Sequence, residues 1–304
     1  MVRIGHQLEY LAALTGLGLA RSLPASVGNA IGVGLGRLVH TLLTSRRRLA
    51  YDNMKQALGA DLDEAQLRGL VRSVFEHTGR TLMELGRFGK LGAEGIRGII
   101  DPDGIAPLRA ALEGGRGAIL TSAHFGNWEL MGVYPAAYGI PTDIVVLTQH
   151  NQAVNSQLLK LREATGNRVL QVPANTRQVF KALKDNRLVV MAADQHAPAG
   201  TLQMDFLGRR AAVVRGPALF AVRCDCPIIP MLTRRERYDC HKIITGETIL
   251  PPRSGDEDTD VRMMTSAYIG FLEENIRRYP DQWLWTHNRW KLKPVAGNSE
   301  RRQS

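Results

Sequence analysis

Cysteine is scarce in this 304-residue chain, carboxylates are outnumbered, and no apolar run continues for long. The three cysteines, Cys224, Cys226 and Cys240, are too few and too clustered for a disulfide framework, which favours a reducing compartment. Cys224-Asp-Cys226 followed by Cys240-His241 lacks the paired two-residue spacings of a zinc ribbon, so packed thiols are expected there and no metal centre. Asp and Glu number 29 against 39 Lys and Arg, a formal charge of +10. That excess asks for an acidic partner, which could be nucleic acid, an anionic membrane face or an acidic carrier protein, and charge alone does not choose. Residues 10–20 and 22–36 carry no charge, but Arg21 and Arg37 interrupt them, so neither run reaches the roughly 18–20 apolar residues of a confident membrane span. A small-residue cleavage site of the signal-peptide kind is also missing, as are internal repeats and low-complexity linkers.

What the first 45 residues do have is apolar character without a span. "LEYLAALTGLGLARSLPASVGNAIGVGLGRLVHTLL" precedes "SRRRLAYDNMKQAL", so apolar helices lead directly into Arg46, Arg47 and Arg48. Two readings fit: helices resting on a bilayer with the arginines at anionic headgroups, or a helical hairpin packed on the domain. Glycines at 28, 32, 34 and 36 permit close helix packing under either. The expected organisation is a membrane-associating helical segment over 1–45 and a catalytic domain over 46–304.

Residues 61–88 then place Leu67, Leu70, Val71, Val74, Phe75 and Leu82 at helical spacing behind a cap at Asp61 or Asp63. His77 in that helix reads as a packed or solvated side chain. From about residue 95 strands and helices alternate. "GAILTSAH", "TDIVVLTQ", "RLVVMAADQ" and "CPIIPMLTR" read as strands, and "IAPLRAALEGG", "NWELMGVYPAAYG", "NSQLLKLREATG", "NTRQVFKALKDN" and "GPALFAVRC" as helices. The expected fold is therefore α/β, a mixed and mostly parallel sheet flanked by helices, with an apolar N-terminal helical segment.

His124 falls at the carboxyl end of the "AILTSA" strand, where open α/β sheets form their sites. Five positions on a regular helix span about 140°, so Glu129 shares a site with His124 only if the histidine precedes the helix and Asn127 caps it. In that arrangement a carboxylate can fix the imidazole tautomer and leave the other nitrogen free to take a proton from a bound hydroxyl. Backbone amides near Gly126 and Asn127 are candidate oxyanion donors. There is no Gly-x-Ser-x-Gly elbow, so direct transfer to a hydroxyl is the simpler chemistry. A histidine that merely finishes a turn, with Glu129 on the surface, is the competing reading.

"HFGNWEL" resembles the signature of the lipid A biosynthesis acyltransferases, the bacterial late acyltransferases within the wider glycerolipid acyltransferase group, whose shared core is histidine, four residues, then a carboxylate. "RRRLAYDNM", "VVMAADQ", "DFLGRRAAVVRGPALFAVRCDCPIIP" and "ENIRRYPDQWLWTHNRWK" resemble further family segments in the family's order. The resemblance implies an acyltransferase with His124 as general base and Glu129 as its orienting partner. Asn127, Arg162, Asp194, Gln195 and Arg215 form the expected substrate-binding set, Arg215 because it precedes a helix start suited to phosphate; Asp194 would lie beside the site, either supporting the catalytic groups or contacting the acceptor, with a turn-stabilising aspartate as the competing reading. It implies an acyl carrier protein thioester, or a coenzyme A thioester, as donor and a glycolipid hydroxyl as acceptor, with no cofactor. The expected setting is the cytoplasmic face of the inner membrane, against membrane lipids.

One departure touches the acceptor. Many members carry an arginine and a proline soon after the second strand, where this chain reads "VVLTQHNQAVN". A lipid A precursor, a mannosylated phosphoinositide and an amino-acid lipid therefore stay open as acceptors, and a lipid-binding protein without catalysis is the non-enzyme alternative. His196, beside Asp194 and Gln195, reads equally as a site residue or a solvated one. Trp283, Trp285 and Trp290 interleaved with Arg289 and Lys291 suit a membrane interface, or alternatively the core. Stacking on single-stranded nucleic acid is discounted, because no recognised nucleic-acid module accompanies them.

Overall fold

A strand that ends in a polar turn and returns as a helix is the repeating unit of this chain, and a computed structural model shows how the units assemble. It describes residues 16, 18, 20–148, 151–163, 165–172, 176–195 and 202–290. Helical residues at 20–22 precede α1 (Ala25–Leu42), α2 (Thr44–Leu58) and α3 (Glu64–Ile99), which are followed by α4 (Ile105–Leu112). Then β1 (Ala118–Ser122), α5 (Trp128–Ala137), β2 (Thr142–Leu147), α6 (Gln152–Glu163), β3 (Arg168–Val172), α7 (Thr176–Lys184) and β4 (Leu188–Ala192) alternate. A two-stranded hairpin of β5 (Gln203–Phe206) and β6 (Arg209–Ala212) precedes α8 (Gly216–Cys224), β7 (Ile228–Arg237), β8 (Cys240–Thr245) and α9 (Glu257–Arg278).

The main sheet runs β3-β2-β4-β1-β7-β8, parallel throughout except for the β7–β8 pair. This is the mixed, mostly parallel sheet expected from the alternation. Strand residues alternate between two apolar layers. Ile119, Val189 and Ile228 pack with α2, α7, α8, α9 and the first half of α3, whereas Leu120, Val190 and Ile229 pack with α4, α5 and the second half of α3. Covering both faces explains why β1 and β4 read as continuous apolar runs. β3, β5, β6 and β8 were not expected from the sequence. They are short or edge strands with weak apolar patterning, and β8 exists because it pairs with β7.

Asp63, not Asp61, starts α3: its side chain accepts from the Gln66 amide at 2.8 Å and its own amide donates to the Gln66 side chain at 2.8 Å. The helix breaks direction at Gly92, where φ is 59°. Leu82 departs from the expected apolar stripe and faces outward, 56% exposed. Against α3 lies α1, whose Gly28, Gly32 and Gly36 are buried; a β-carbon on Gly36 would run into the backbone at Phe75 and Glu76. Gly32 likewise meets the α3 backbone at Gly79 and Arg80, Gly28 meets the Tyr238 side chain and Gly34 faces open space, so two of the four glycines make the close approach to α3. Among the described residues no helix is long and apolar enough to cross a membrane. Residues 1–15 of the apolar segment, and His196 and Lys291, lie outside the described residues.

The tryptophans settle as core. Trp283, Trp285 and Trp290 are 2%, 0% and 9% exposed and cluster edge-on and stacked around Phe206. An interfacial role for these rings is thereby excluded, because no ring face is left for lipid or a base.

Candidate active site

Register places the first two functional groups. β1 and β4 are parallel neighbours with Ser122 opposite Ala192, so the chain two residues beyond each strand end brings His124 beside Asp194. The His124 imidazole Nδ1 donates to Asp194 Oδ1 at 2.9 Å, and the His124 amide donates to Asp194 Oδ2 at 3.0 Å. Trp283 Nε1 adds a third donor to Oδ2 at 2.9 Å. Asp194 is 2% exposed, and its three donors favour the ionised carboxylate. Burial works against that charge, but the adjacent imidazole and the donors outweigh it and hold Asp194 below the usual carboxylate range. For His124 the balance runs the same way: burial opposes protonation, yet the charge and hydrogen bond of Asp194, with a smaller pull from Glu129, keep its pKa above the ordinary imidazole value. Nδ1 therefore carries the proton, and Nε2 accepts from the Gln195 side-chain Nε2 at 3.3 Å.

Glu129 does not do what the spacing suggested. Both its oxygens are taken by Arg162, which donates from Nε at 2.9 Å and from its terminal nitrogen at 2.8 Å. The orienting hydrogen bond on His124 comes from Asp194 instead. The reason is the path of the chain: α5 begins at Trp128 after Asn127, so Glu129 lies in its first turn and meets α6, on which Arg162 sits. The pair still borders the site, because both charges act on the imidazole.

The turn between β1 and α5 is fixed from beneath. Gly126 has φ 56°, and a β-carbon there would collide with the Thr233 carbonyl, so only glycine passes. Its amide donates to the Gln282 carbonyl at 2.8 Å and is thus not an open oxyanion donor, contrary to expectation. Asn127 caps α5 as expected, its Oδ1 accepting from the Leu130 amide at 3.3 Å. Its Nδ2 donates to Glu84 at 2.6 Å, and the residue is fully buried. The side chain expected to bind substrate is instead spent on holding the turn.

Glu84, Arg235 and His241 were not found from the sequence. Glu84 projects from α3 into the interior and receives Arg235, His241 Nε2 at 3.2 Å and the Asp239 amide at 3.0 Å besides Asn127. Burial would raise its pKa, but Arg235 and His241 overwhelm that and bring it down to about 2. Thr81, one turn earlier on α3, donates to the Gly126 carbonyl at 3.2 Å. Arg289 is also fully buried, donates to the Ala212 carbonyl and stacks on Phe206; its burial brings its pKa down to about 10 against the pull of Asp194. No motif spacing points to such residues, because their partners lie more than forty positions away.

Arg215 starts α8 and donates to Asp258 at 3.0 Å, in a groove shared with Arg210 and Arg262. No described contact joins it to His124. The site thus gathers His124, Asp194, Gln195, Trp283, Glu129 and Arg162, and sets Arg215 apart.

The centre of the site is thus an imidazole tied to a carboxylate at the carboxyl edge of the sheet, inside the "HFGNWEL" turn. The sequence model of the bacterial lipid A biosynthesis acyltransferases matches residues 4–292. The chain belongs to this family. A phosphatidylinositol mannoside acyltransferase of Mycolicibacterium smegmatis is 24% identical over 100% of the chain and 97% of its own length. Two Escherichia coli proteins, a lipid A biosynthesis lauroyltransferase (24% identical, 91% of this chain and 90% of its own) and a lipid A biosynthesis palmitoleoyltransferase (22%, 91% and 89%), align almost as fully. Members of the family are acyltransferases, and so is this chain.

Proposed function

We propose that the chain moves a fatty acyl group from an acyl carrier protein thioester to a hydroxyl of a lipid A precursor or related glycolipid, with His124 as the general base. The observation that carries this reading is the polarity of the imidazole: Nδ1 is committed to Asp194, which leaves Nε2 as the acceptor, now facing Gln195. A substrate hydroxyl that displaces the Gln195 amide gives its proton to Nε2 as its oxygen attacks the thioester carbonyl. Asp194 stabilises the imidazolium that results. The tetrahedral intermediate then breaks its carbon–sulfur bond, and the departing thiolate takes the proton back from Nε2. Amides from Asn127 onward, at the start of α5, are the proposed donors to the oxyanion, since those of His124, Phe125 and Gly126 are already spent.

Glu129 acts in this reading through Arg162, which it fixes at the edge of the site for an anionic part of donor or acceptor. Gln195 positions the hydroxyl, and Arg215 is the proposed contact for a more distant anionic headgroup. The donor is a substrate and no cofactor is required. An acidic acyl carrier protein, or alternatively coenzyme A, suits the charge of +10. The proposed location is the cytoplasmic face of the inner membrane, supported by the outward stripe of Leu35, Leu38, Val39 and Leu42 on α1, each at least 39% exposed.

A phosphatidylinositol mannoside is the second acceptor reading, favoured by the relative that aligns over the whole chain. Mass spectrometry of lipid products, from purified protein in detergent with acyl carrier protein thioesters and both acceptors, separates the two. One added acyl chain on a lipid A precursor, lost in His124→Ala, is the expected result. His124-dependent gain on the mannoside alone moves the acceptor and keeps the mechanism, and transfer that survives His124→Ala removes the proposed base.

A further inference from the structure

Between α1, α2 and α3 lies a cavity of about 540 Å³ lined by His40, Arg47, Arg48, Tyr51, Arg68 and Arg72 with no carboxylate among its lining residues. We propose that this groove binds the phosphate of an anionic membrane phospholipid, at a place distinct from His124. The inference rests on the membrane-face reading above and adds a discrete headgroup site to it.

The helix start is the first support. Arg46, Arg47 and Arg48 occupy the beginning of α2, which has no acidic residue in its first turn and no side-chain cap. Cations at a helix amino terminus oppose the macrodipole, whereas an anion there gains from both the open amides and the dipole. Arg47 and Arg48, from this first turn and the next, bring the positive charge to one wall of the groove. Arg47 is held in place by neutral groups only, donating to the His40 and Thr41 carbonyls at 3.0 and 3.5 Å, so the guanidinium is oriented without being neutralised.

The opposite wall is the second support. Arg68 and Arg72 project from successive turns of α3, and their ion pairs with Glu64 and Glu76, each at 3.2 Å, leave them more than half exposed. Arg48 reaches Asp52 only at 4.0 Å and is 86% exposed. The field inside is felt by His40, whose pKa is held down by burial and then by Arg47 and Arg72. A planar guanidinium on two walls matches the tetrahedral oxygens of a phosphate better than a single ammonium would.

The exposed apolar residues on either side of His40 in the chain favour a lipid over an acidic protein. Leu38, Leu42 and Leu43 are 53%, 66% and 48% exposed and lead directly into α2, while the glycine face of α1 is already used against α3. Apolar surface on the helix that contributes His40 to a cationic groove large enough for a whole headgroup is the pattern of an amphiphile, with headgroup in the groove and hydrocarbon along α1. The same helix α3 that carries Arg72 carries Thr81 on the Gly126 turn, about 14 Å further along its axis. A lipid seated here would set the orientation of the catalytic turn to the membrane.

Vesicle flotation of the full chain tests this, with vesicles of phosphatidylcholine, of phosphatidylcholine with phosphatidylglycerol, and of phosphatidylcholine made equally negative with oleate. Wild type is expected to prefer phosphatidylglycerol over oleate at equal charge. Arg47→Ala/Arg72→Ala is expected to weaken phosphatidylglycerol binding about thirty-fold and leave the phosphatidylcholine baseline alone. Arg277→Ala/Arg278→Ala, the same charge change at the end of α9, is expected to have a much smaller effect. Circular dichroism and a melting curve check that the variants fold. Equal losses in both double variants, or no preference over oleate, overturn the headgroup site while vesicle binding sensitive to Leu38→Ser/Leu42→Ser still upholds the membrane reading. Failure of wild type to bind any vesicle overturns both. Weakened binding of acyl carrier protein in the groove variant, with vesicle binding intact, assigns the groove to the carrier and contradicts the proposal.

Discussion

Helix α3 joins two charged regions that obey opposite rules. At its middle, Glu84 and Thr81 sit beneath the catalytic turn, where Glu84, Arg235 and His241 are each no more than 5% exposed and each is paired. At its beginning, Arg68 and Arg72 also have carboxylate partners, Glu64 and Glu76, but stay more than half exposed along a groove whose lining carries no negative side chain. Buried charge must be neutralised inside the fold, because no water remains to solvate it, and its partners then fix geometry. Exposed charge is solvated at little expense and is free to meet something from outside. The first region therefore holds His124 in place and the second waits for a ligand.

Breaking the inner region should have the larger consequences. His124→Ala is expected to lower kcat by about 10⁴-fold, the upper end of what a general base contributes, with the melting temperature nearly unchanged; steady-state rates and a melting curve check both. Asp194→Asn keeps the shape but removes the charge that selects the Nδ1–H tautomer, so kcat should fall by about 10³-fold while KM moves little. Glu84→Gln leaves Arg235 and His241 without their carboxylate, and chemical denaturation should show a loss of about 3 kcal/mol or more. The stabilising contribution of Glu84 is present above its unfolded pKa near 4.5 and is lost as pH falls toward about 2, so the variant's deficit should shrink in acid. Glu84→Leu/Arg235→Met would recover part of that deficit if pairing is the point. At the outer region, Arg48→Ala or Arg68→Ala should change stability by less than about 0.5 kcal/mol in the same assay.

Sequence reading reached one region better than the other. The address of His124 was legible because a buried parallel strand announces itself by its apolar run, and because Asn127 can cap and Gly126 can turn. Asp194 was legible as a residue beside the site, but not as the partner that sets the tautomer in place of Glu129. Glu129 is five residues from His124 and Asp194 is seventy away, and only the adjacency of β1 and β4 makes the distant carboxylate the near one. The same limit hid Arg162 as the partner of Glu129 and Glu84 as the support of Asn127. The composition of "WLWTHNRW" suits lipid as well as core; the buried ring cluster with Phe206 decides for core. The arginine run Arg46–Arg48 was visible at once as three adjacent cations, but its carbonyl partners at His40, Thr41 and Thr286 were not.

Asp194 rather than Glu129 as the group that governs His124 is the central claim, and the acid limb of the kcat/KM profile reads it directly. A base must be neutral to act, and Asp194 holds the His124 pKa above its ordinary value, so activity falls as pH drops through that raised pKa. In Asp194→Asn the limb should move to lower pH, because the charge that favoured the imidazolium is gone. In Glu129→Gln it should stay much closer to wild type. A limb that moves with Glu129→Gln and stays put with Asp194→Asn would contradict the assignment and return the orienting role to Glu129.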